Sequence, residues 1–186
     1  YKQEQVALCG RIGYKVHMQT CCQGKRTRHR QSNTLFRNDK RKGLQIMCDM
    51  PDDLDLQDVD TVAIDIETYD PNLKTKGLGA IREDGFIAGV AVATGKDTVY
   101  FGLHHSDKTT SKEEEKEFWD QLNKKLLQNP NIIKVFHNAI YDVCWLRAVT
   151  GKMLKGRLVD TMVAASVIDE NRFKYSLDAL SKDYLN

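Results

Sequence analysis

Apolar and polar positions alternate in short stretches between residues 61 and 136, a pattern that predicts β-strands. The most apolar of them, Thr61–Glu67, is interrupted by Asp65 and Glu67. Side chains alternate along a strand, so both acids point to one face of the sheet. Because buried carboxylates are costly unless they are neutralised, the pair indicates either ligands for a hard cation or an edge strand with two solvated acids.

Three more strands and four helices are predicted from periodicity and end signals. The predicted strands are Phe86–Ala93, Thr98–Leu103 and Ile132–Phe136. Ser111 and Glu114 form a capping box at the start of the first helix, which ends at Asn129-Pro130. The other helices are predicted at Asn138–Gly151, Thr161–Ile168 and Ser176–Leu185, and the glycine-containing segment Lys74–Gly85 is predicted to be a loop.

This order of elements predicts an α/β fold, a mixed sheet flanked by helices with the strand Thr61–Glu67 in its interior. In the helix that starts near Asn138, Trp145 and Leu146 are expected to anchor the helix to the sheet. His104 and His105 follow the third strand, where loop histidines are usually solvated, and we assign them no role.

Charge divides the chain into two segments. Residues 1–46 contain 11 basic and 2 acidic residues, a net charge of +9, while the remainder carries −7. The overall composition, 41% hydrophobic and 29% charged, is typical of a globular domain. We therefore predict a domain at residues 47–186 and an extension at 1–46 that is disordered or not native to the protein, with a nucleic-acid-binding arm as the alternative.

The five cysteines do not predict a disulfide framework, because their number is odd and their spacing irregular. A zinc site formed by residues near the start of the chain lacks standard ligand spacing; its members would be Cys9, His17, Cys21, Cys22 and His29. The longest apolar run, Phe86–Ala93, is too short to span a membrane, and no signal peptide is visible. We expect a cytoplasmic protein without membrane contact, and the start at Tyr1 indicates a fragment.

A second polar cluster, His137-Asn138-Ala139-Ile140-Tyr141-Asp142, lies where a strand gives way to a helix. Asp142 follows Asn138 by four residues, so the two share a helical face. A purely structural interpretation is that Asn138 caps the helix and Asp142 favours its positive end. That interpretation accounts for Asn138 better than for Asp142, which lies beyond the best capping positions.

Taken in order, Asp65-Ile66-Glu67, Asn138-x-x-Tyr141-Asp142 and Asp160-Thr161-Met162 resemble the 3′–5′ proofreading exonuclease domain of family A DNA polymerases. The continuation Thr68-Tyr69-Asp70-Pro71 is most similar to phage-type members, and the resemblance runs from about Thr61 to Asn186. It implies a ribonuclease H-like fold. It also implies a polymerase domain C-terminal to this one in the full-length chain, and location in the host cytoplasm if the protein is phage-encoded.

The resemblance further implies hydrolysis of single-stranded DNA 3′ ends with two divalent cations, Mg²⁺ or Mn²⁺. Asp65, Glu67 and Asp142 are then the catalytic residues and metal ligands. Asp65 bridges both cations, Glu67 binds the first and the terminal 3′-hydroxyl, and Asp142 serves the second. The residues implied in nucleic-acid binding are Asn138, Thr68 and Leu73, and Asp160 is interpreted as a structural cap of the next helix.

One element of the family pattern is missing. The family has a fourth carboxylate on a later helix, four residues after a tyrosine, but Tyr175 is followed at that spacing by Ala179. We therefore expect a domain that is C-terminally incomplete, truncated before its last motif, and weak or inactive as it stands; otherwise Asp178 or Asp183 supplies the acid. The alternatives are a stand-alone ribonuclease of the same superfamily and a non-catalytic nucleic-acid-binding module.

Overall fold

A computed structural model describes residues 45–47, 54–96, 98–105 and 108–185 of the chain. The strands are Gln45–Met47 (β1), Thr61–Tyr69 (β2), Phe86–Ala93 (β3), Thr98–Gly102 (β4), His104–His105 (β5), Lys108–Thr109 (β6), Ile133–Phe136 (β7) and Leu158–Asp160 (β8). The helices are Leu73–Lys76 (α1), Gly79–Arg82 (α2), Lys112–Leu122 (α3), Ala139–Thr150 (α4), Thr161–Ile168 (α5) and Leu177–Leu185 (α6), and a π-helical segment, Asn123–Leu127, continues α3.

Six strands form one mixed sheet in the order β1-β4-β3-β2-β7-β8. The consecutive strands β2, β3 and β4 are antiparallel neighbours, whereas β7 is parallel to both β2 and β8. The strand β1 is parallel to β4, and β5 and β6 form a separate two-stranded ribbon. The predicted α/β class and the interior position of the strand with the two acids are confirmed.

The two faces of the sheet differ in the size of their side chains. One face carries branched and aromatic residues that pack against α3 and α4. Its buried members include Val62, Ile64, Ile66, Val90, Val92 and Phe101, and the helices contribute Phe118, Leu122, Trp145 and Leu146 to the same cluster. The other face carries three alanines, Ala63, Ala91 and Ala93, together with Tyr100 and Val135, and Leu177 of α6 packs against them. Asp65 and Glu67 alternate with Ile64 and Ile66, so they lie on this second face, which we call the alanine face.

Most of the predicted elements are confirmed with small shifts of their ends. Both hydrogen bonds of the capping box are present, Glu114 N to Ser111 Oγ at 3.2 Å and Ser111 N to Glu114 Oε2 at 2.9 Å. The predicted strand Thr61–Glu67 extends two residues further, to Tyr69. The prediction of a loop at Lys74–Gly85 is wrong, because two single-turn helices, α1 and α2, occupy most of it.

The predicted division of the chain is crossed by β1, since the strand Gln45–Met47 includes residues on both sides of the boundary at 46 and 47. The rest of the basic extension and all residues of the conceivable zinc site lie outside the described ranges. Among the described residues, no helix is long and apolar enough to cross a membrane.

Leu146 anchors α4 to the sheet as predicted, with no exposed side-chain surface, and Trp145 is 2% exposed. We expect Leu146→Ala to lower the free energy of unfolding by about 2–5 kcal/mol, because the substitution leaves a cavity in a packed core. Urea denaturation measures the change. The matched control is Ile140→Ala on the same helix, which is 74% exposed and should change stability by less than about 0.5 kcal/mol. Similar losses for both variants would show that the helix faces are assigned wrongly.

Candidate active site

Asp142 lies beside the acids of β2 at the point where β7 ends and α4 begins. The strand β7 pairs with β2 only along Thr61–Ala63, and then the chain turns away into α4. Beyond that point the edge of β2 lacks a neighbouring strand on the β7 side among the described residues. Asp142 Oδ1 accepts a hydrogen bond from Ile66 N at 3.2 Å, in the place that the next residue of a longer β7 would take. The fold therefore brings Asp142 to Ile66 across 76 residues of sequence, and so beside Asp65.

Burial and mutual repulsion make the ionised forms of these acids costly. Burial raises the pKa of Asp65 to about 7, and the charge of Glu67 adds to the effect. Burial likewise raises the pKa of Asp142 to about 8, with the charges of Asp65 and Asp160 contributing. The hydrogen bond from Ile66 N opposes both shifts without cancelling them. Near neutral pH the group of carboxylates therefore holds protons that a cation with oxygen ligands would replace.

The start of α4, which positions Asp142, is held by Asp160 and not by a cap from Asn138. Asn138 has a left-handed backbone, φ 66°, and its side chain makes no capping hydrogen bond. Asp160 instead accepts from Asn138 N at 3.1 Å and from Ala139 N at 2.8 Å. The capping interpretation of Asn138 is therefore wrong, because an acid from β8 satisfies the amides at this helix start.

Asp160 also caps α5, as predicted. Its carboxylate accepts from Met162 N at 2.9 Å and from Val163 N at 3.3 Å. One side chain thus satisfies four backbone amides at two helix starts, which fixes α4 relative to β8 and α5. The neighbouring side chain of His137 is tied to α5 through Thr161, with Nδ1 and Oγ1 separated by 2.8 Å. Burial lowers the pKa of His137, which favours its neutral form.

The three residues implied in nucleic-acid binding lie on different elements. Thr68 follows Glu67 on β2, and its hydroxyl is 2.5 Å from the Tyr141 hydroxyl on α4. Leu73 opens α1 and is 39% exposed, and Asn138 is partly buried at the start of α4. The contact between Thr68 and Tyr141 ties the end of β2 to the helix that carries Asp142.

Sequence reasoning missed the network that shapes the segment after β2. The Asp70 side chain is 2% exposed and accepts from Gly79 N at 2.8 Å and from Arg82 at 3.0 Å. Arg82 also binds Asp84 at 2.7 Å and the carbonyl oxygen of Gly77. A buried carboxylate paired with a guanidinium thus folds back the segment that bears Leu73. The signal in the sequence was an acid followed 12 residues later by an arginine, which is not specific.

Tyr100 is a second missed neighbour of the acids. It lies on the alanine face of β4, and its row across the sheet runs through Ala91 to Asp65. A Cβ on Gly89, the partner of Glu67 across the strands, would lie 2.1 Å from the Tyr100 hydroxyl, so the phenol occupies the space above this glycine. Burial raises the pKa of Tyr100, and the charges of Glu67 and Asp65 add to the shift. The phenol therefore remains protonated beside the carboxylates.

The two acids of α6 considered for the missing carboxylate form surface ion pairs. Asp178 is 2.9 Å from Lys182 one turn later, and Asp183 pairs with Arg172. The Tyr175 hydroxyl donates to the carbonyl oxygen of Asp169 at 2.7 Å. Neither Asp178 nor Asp183 is among the charges that shift the pKa values of Asp65 and Asp142.

The donor set suits a hard divalent cation, since it consists of carboxylate oxygens whose burial and repulsion a cation would relieve. Within the described ranges, however, no three acidic, histidine or cysteine side chains converge closely enough to form a ready-made metal site. A cation bound by Asp65, Glu67 and Asp142 together therefore requires at least one of these side chains to rotate.

His104, predicted to be a solvated loop residue, makes two specific contacts. Its Nε2 is 3.2 Å from a carboxylate oxygen of Glu115 on α3, and its ring packs edge-on against Phe86 at 5.4 Å between centroids. The prediction is wrong for this side chain because the short ribbon β5–β6 brings it onto α3 and β3. The side chain of His105 lies outside the described part.

Comparison with known proteins identifies a family and a set of similar folds. The sequence model of a family described as 3′–5′ exonuclease matches residues 40–186. Brucella melitensis NrnC bound to pGG is similar at 22% identity and a TM-score of 0.57, over 76% of this chain and 60% of that one. Brucella melitensis NrnC with bound Mg²⁺ has 22% identity and a TM-score of 0.56, over 75% of this chain and 60% of that one.

Escherichia coli RNase D, an exoribonuclease involved in structured RNA processing, is similar over 70% of this chain and 29% of that one, at 17% identity and a TM-score of 0.50. The chain thus spans 60% of the length of the NrnC structures it matches. No curated protein sequence matches the chain. At these identities the solved structures establish the fold, a ribonuclease H-like exonuclease sheet flanked by helices.

The raised pKa of Asp142 predicts how stability varies with pH in metal-free buffer. A carboxyl group that binds its proton more tightly in the folded state stabilises the fold below its unfolded pKa, near 4, and this contribution is lost as the pH rises through about 8. We expect the stability of the wild type to fall by about 1 kcal/mol or more over this range relative to Asp142→Asn. Urea denaturation at several pH values measures it. The exposed Asp120→Asn is the control, and parallel curves for wild type and Asp142→Asn would contradict the prediction.

Asp160 should contribute more to stability than an ordinary cap, because it serves two helix starts. We expect Asp160→Ala to lower the free energy of unfolding by about 2–4 kcal/mol, since four amides lose their acceptor. Asp160→Asn keeps one acceptor oxygen and should cost less. Thermal and urea unfolding measure both. Asp178→Ala, which removes an exposed acid of α6, is the control, and an equal cost for Asp160→Ala and this control would rule out the double cap.

Proposed function

The chain belongs to the 3′–5′ exonuclease family, and from this premise we propose that it hydrolyses the terminal phosphodiester bond at the 3′ end of a single nucleic-acid strand. Asp65, Glu67 and Asp142 are the catalytic acids of this proposal. The observation that carries it is the hydrogen bond from Ile66 N to Asp142, which places an acid of α4 beside the acids of β2.

Mg²⁺ or Mn²⁺ bound at this site supplies an activated water and stabilises the leaving 3′-oxygen. Asp65 interacts with both of the other acids, because the charge of Glu67 raises the pKa of Asp65 and the charge of Asp65 raises the pKa of Asp142. This central place supports a role for Asp65 in contacting both of two cations. Glu67 is then the ligand on the β2 side and the group that receives the terminal 3′-hydroxyl. Asp142 is the ligand on the α4 side.

The remaining residues of the proposal orient the strand. Thr68 follows Glu67 on β2, Leu73 opens α1 and Asn138 precedes α4, and we assign these residues contacts to the terminal nucleotide, through the backbone for Thr68 because its hydroxyl contacts Tyr141. The contact between the Tyr141 and Thr68 hydroxyls ties the residue after Glu67 to α4. The side chains of Asp65 and Glu67 are partly exposed, which leaves them accessible to a 3′ end.

We assign the substrate as a DNA 3′ end presented by a polymerase domain, in line with the resemblance of the three motifs to proofreading domains. RNA is the second candidate. Its support is the similarity of the fold to RNase D, an exoribonuclease. Both substrates present the same terminal phosphodiester to the carboxylates, so the chemistry of the site is shared.

The test is hydrolysis of 3′-ended oligonucleotides of one sequence, made as DNA and as RNA, with Mg²⁺ or with EDTA. Because the fourth carboxylate of the family is missing, we expect slow shortening from the 3′ end that requires the metal, and a further loss of at least about 100-fold in Asp65→Ala or Asp142→Ala. Asp120→Asn, an exposed acid of α3, should cleave like the wild type. Faster cleavage of RNA than of DNA would favour the ribonuclease candidate over proofreading.

A readout independent of activity accompanies this test. Mn²⁺ should raise the melting temperature of the wild type, because binding to the folded state alone stabilises it, and should do so less in Asp65→Ala. Equal shifts for wild type and Asp65→Ala, together with cleavage that persists in both, would refute the assignment of these acids.

A further inference from the structure

Two aromatic rings stack in the open just beyond the acids of β2. Tyr69 and Phe86 lie opposite each other on β2 and β3, and their ring centroids are 5.1 Å apart with the planes inclined by 22°. The residues are 55% and 41% exposed. A single exposed aromatic residue is unremarkable, but a stacked pair held at the end of two strands presents a flat apolar surface to solvent.

This pair lies on the same face as the carboxylates. The register shifts between Glu67 and Thr68, where Gly89 faces the first and Ile87 faces the second, so the extra residue is Ala88 on β3. The alternation of β2 is therefore unbroken, and Asp65, Glu67 and Tyr69 point the same way. The Thr68 hydroxyl meets Tyr141 of α4 on the opposite face, as this alternation requires.

The backbone on both sides of the pair is fixed. Directly after Tyr69, the buried carboxylate of Asp70 is held by Gly79 N and Arg82. Directly before Phe86, a Cβ on Gly85 would lie 2.4 Å from the carbonyl oxygen of Tyr69, so the two strands approach closely here. The His104 ring supports Phe86 from its edge. The rings are thus pre-oriented, which lowers the entropy lost when a planar ligand stacks on them.

We propose that Tyr69 and Phe86 form a stacking site for a nucleobase of the single strand whose 3′ end lies at the carboxylates, and this proposal rests on the proposed function. Aromatic side chains next to a backbone-binding groove are a sequence-tolerant way to hold single strands, because every base has a π-face. Residues on one face of a strand are spaced by about 6.6 Å, so Tyr69 lies about 7 Å from Glu67 and about 13 Å from Asp65. Stacked nucleotides repeat every ~3.4 Å, so the base on the rings is two to four nucleotides from the bond that is cut.

The test measures binding, so that it is independent of cleavage. The parent protein is the full chain with Asp65→Asn. The probe is a single-stranded DNA heptamer of thymidines with a 5′-fluorescein label, and fluorescence anisotropy measures its affinity for the protein. We expect the added substitutions Tyr69→Ala and Phe86→Ala to weaken binding about 5- to 100-fold. The matched control is Val167→Ala with Phe173→Ala, which removes exposed apolar residues at and beyond α5, 81% and 103% exposed, and should bind like the parent.

An abasic scan then separates stacking from a structural effect. An abasic nucleotide is placed second, third or fourth from the 3′ end of the heptamer. At one of these positions it should weaken binding to the parent, whereas it should not weaken binding to the Tyr69→Ala, Phe86→Ala protein at any of them. Unchanged affinity of that protein, an abasic loss that persists in it, or no binding by the parent would each overturn the proposal. The proposed function is judged separately, by hydrolysis with the wild type.

A second measurement needs no substitution at the rings. A heptamer with 5-iodouracil at the scanned position should cross-link on irradiation to Tyr69 or Phe86, as located by peptide mass spectrometry. Cross-links elsewhere on the chain and none at these rings would also overturn the proposal, even if the variants fail to fold.

Discussion

The hydrogen bond from Ile66 N to the Asp142 carboxylate is the contact on which the candidate site depends. It exists because β7 stops after pairing with the first part of β2, so the edge of β2 has an amide to satisfy where the chain enters α4. A buried amide without an acceptor costs free energy comparable to a lost hydrogen bond. The acid that meets this need also lies beside Asp65, and one contact therefore serves both the sheet and the site.

The site is unfavourable by itself, and neighbouring contacts hold it in place. Asp65 and Asp142 are acids whose pKa values are raised by burial and by neighbouring acids, a combination that favours a protonated or cation-bound state. The opposing stabilisation comes from the large apolar face of the sheet, where Trp145 and Leu146 bury α4, and from Asp160, which satisfies amides at the starts of α4 and α5. The helix that carries Asp142 is thus fixed at its start and along its buried side.

Local patterns in the sequence predicted the parts of the site that depend on local geometry. Alternation along β2 placed Asp65 and Glu67 on one face, and helical spacing placed Asp142 in the first turns of α4. The errors lie where distant residues decide the structure. The segment Lys74–Gly85 folds into two helical turns because Asp70 and Arg82 close it, and the start of α4 is capped by Asp160 rather than by Asn138. Neither partner is marked by periodicity or by a local motif.

The unequal faces of the sheet explain why the carboxylates are not sealed beneath α3 and α4. On the apolar face, residues such as Ile64 and Phe101 are covered by α3 and α4, and an acid there would be sealed from any substrate. On the alanine face, Ala63 and Ala91 are themselves buried and the Tyr100 phenol fills the space above Gly89, but Asp65 and Glu67 remain partly exposed. Because the alternation of β2 continues to Tyr69, the same strand that holds the acids also carries an exposed ring beyond them. One strand, packed on its apolar face and with its acids partly exposed on the other, thereby carries both the carboxylates and the adjoining exposed ring.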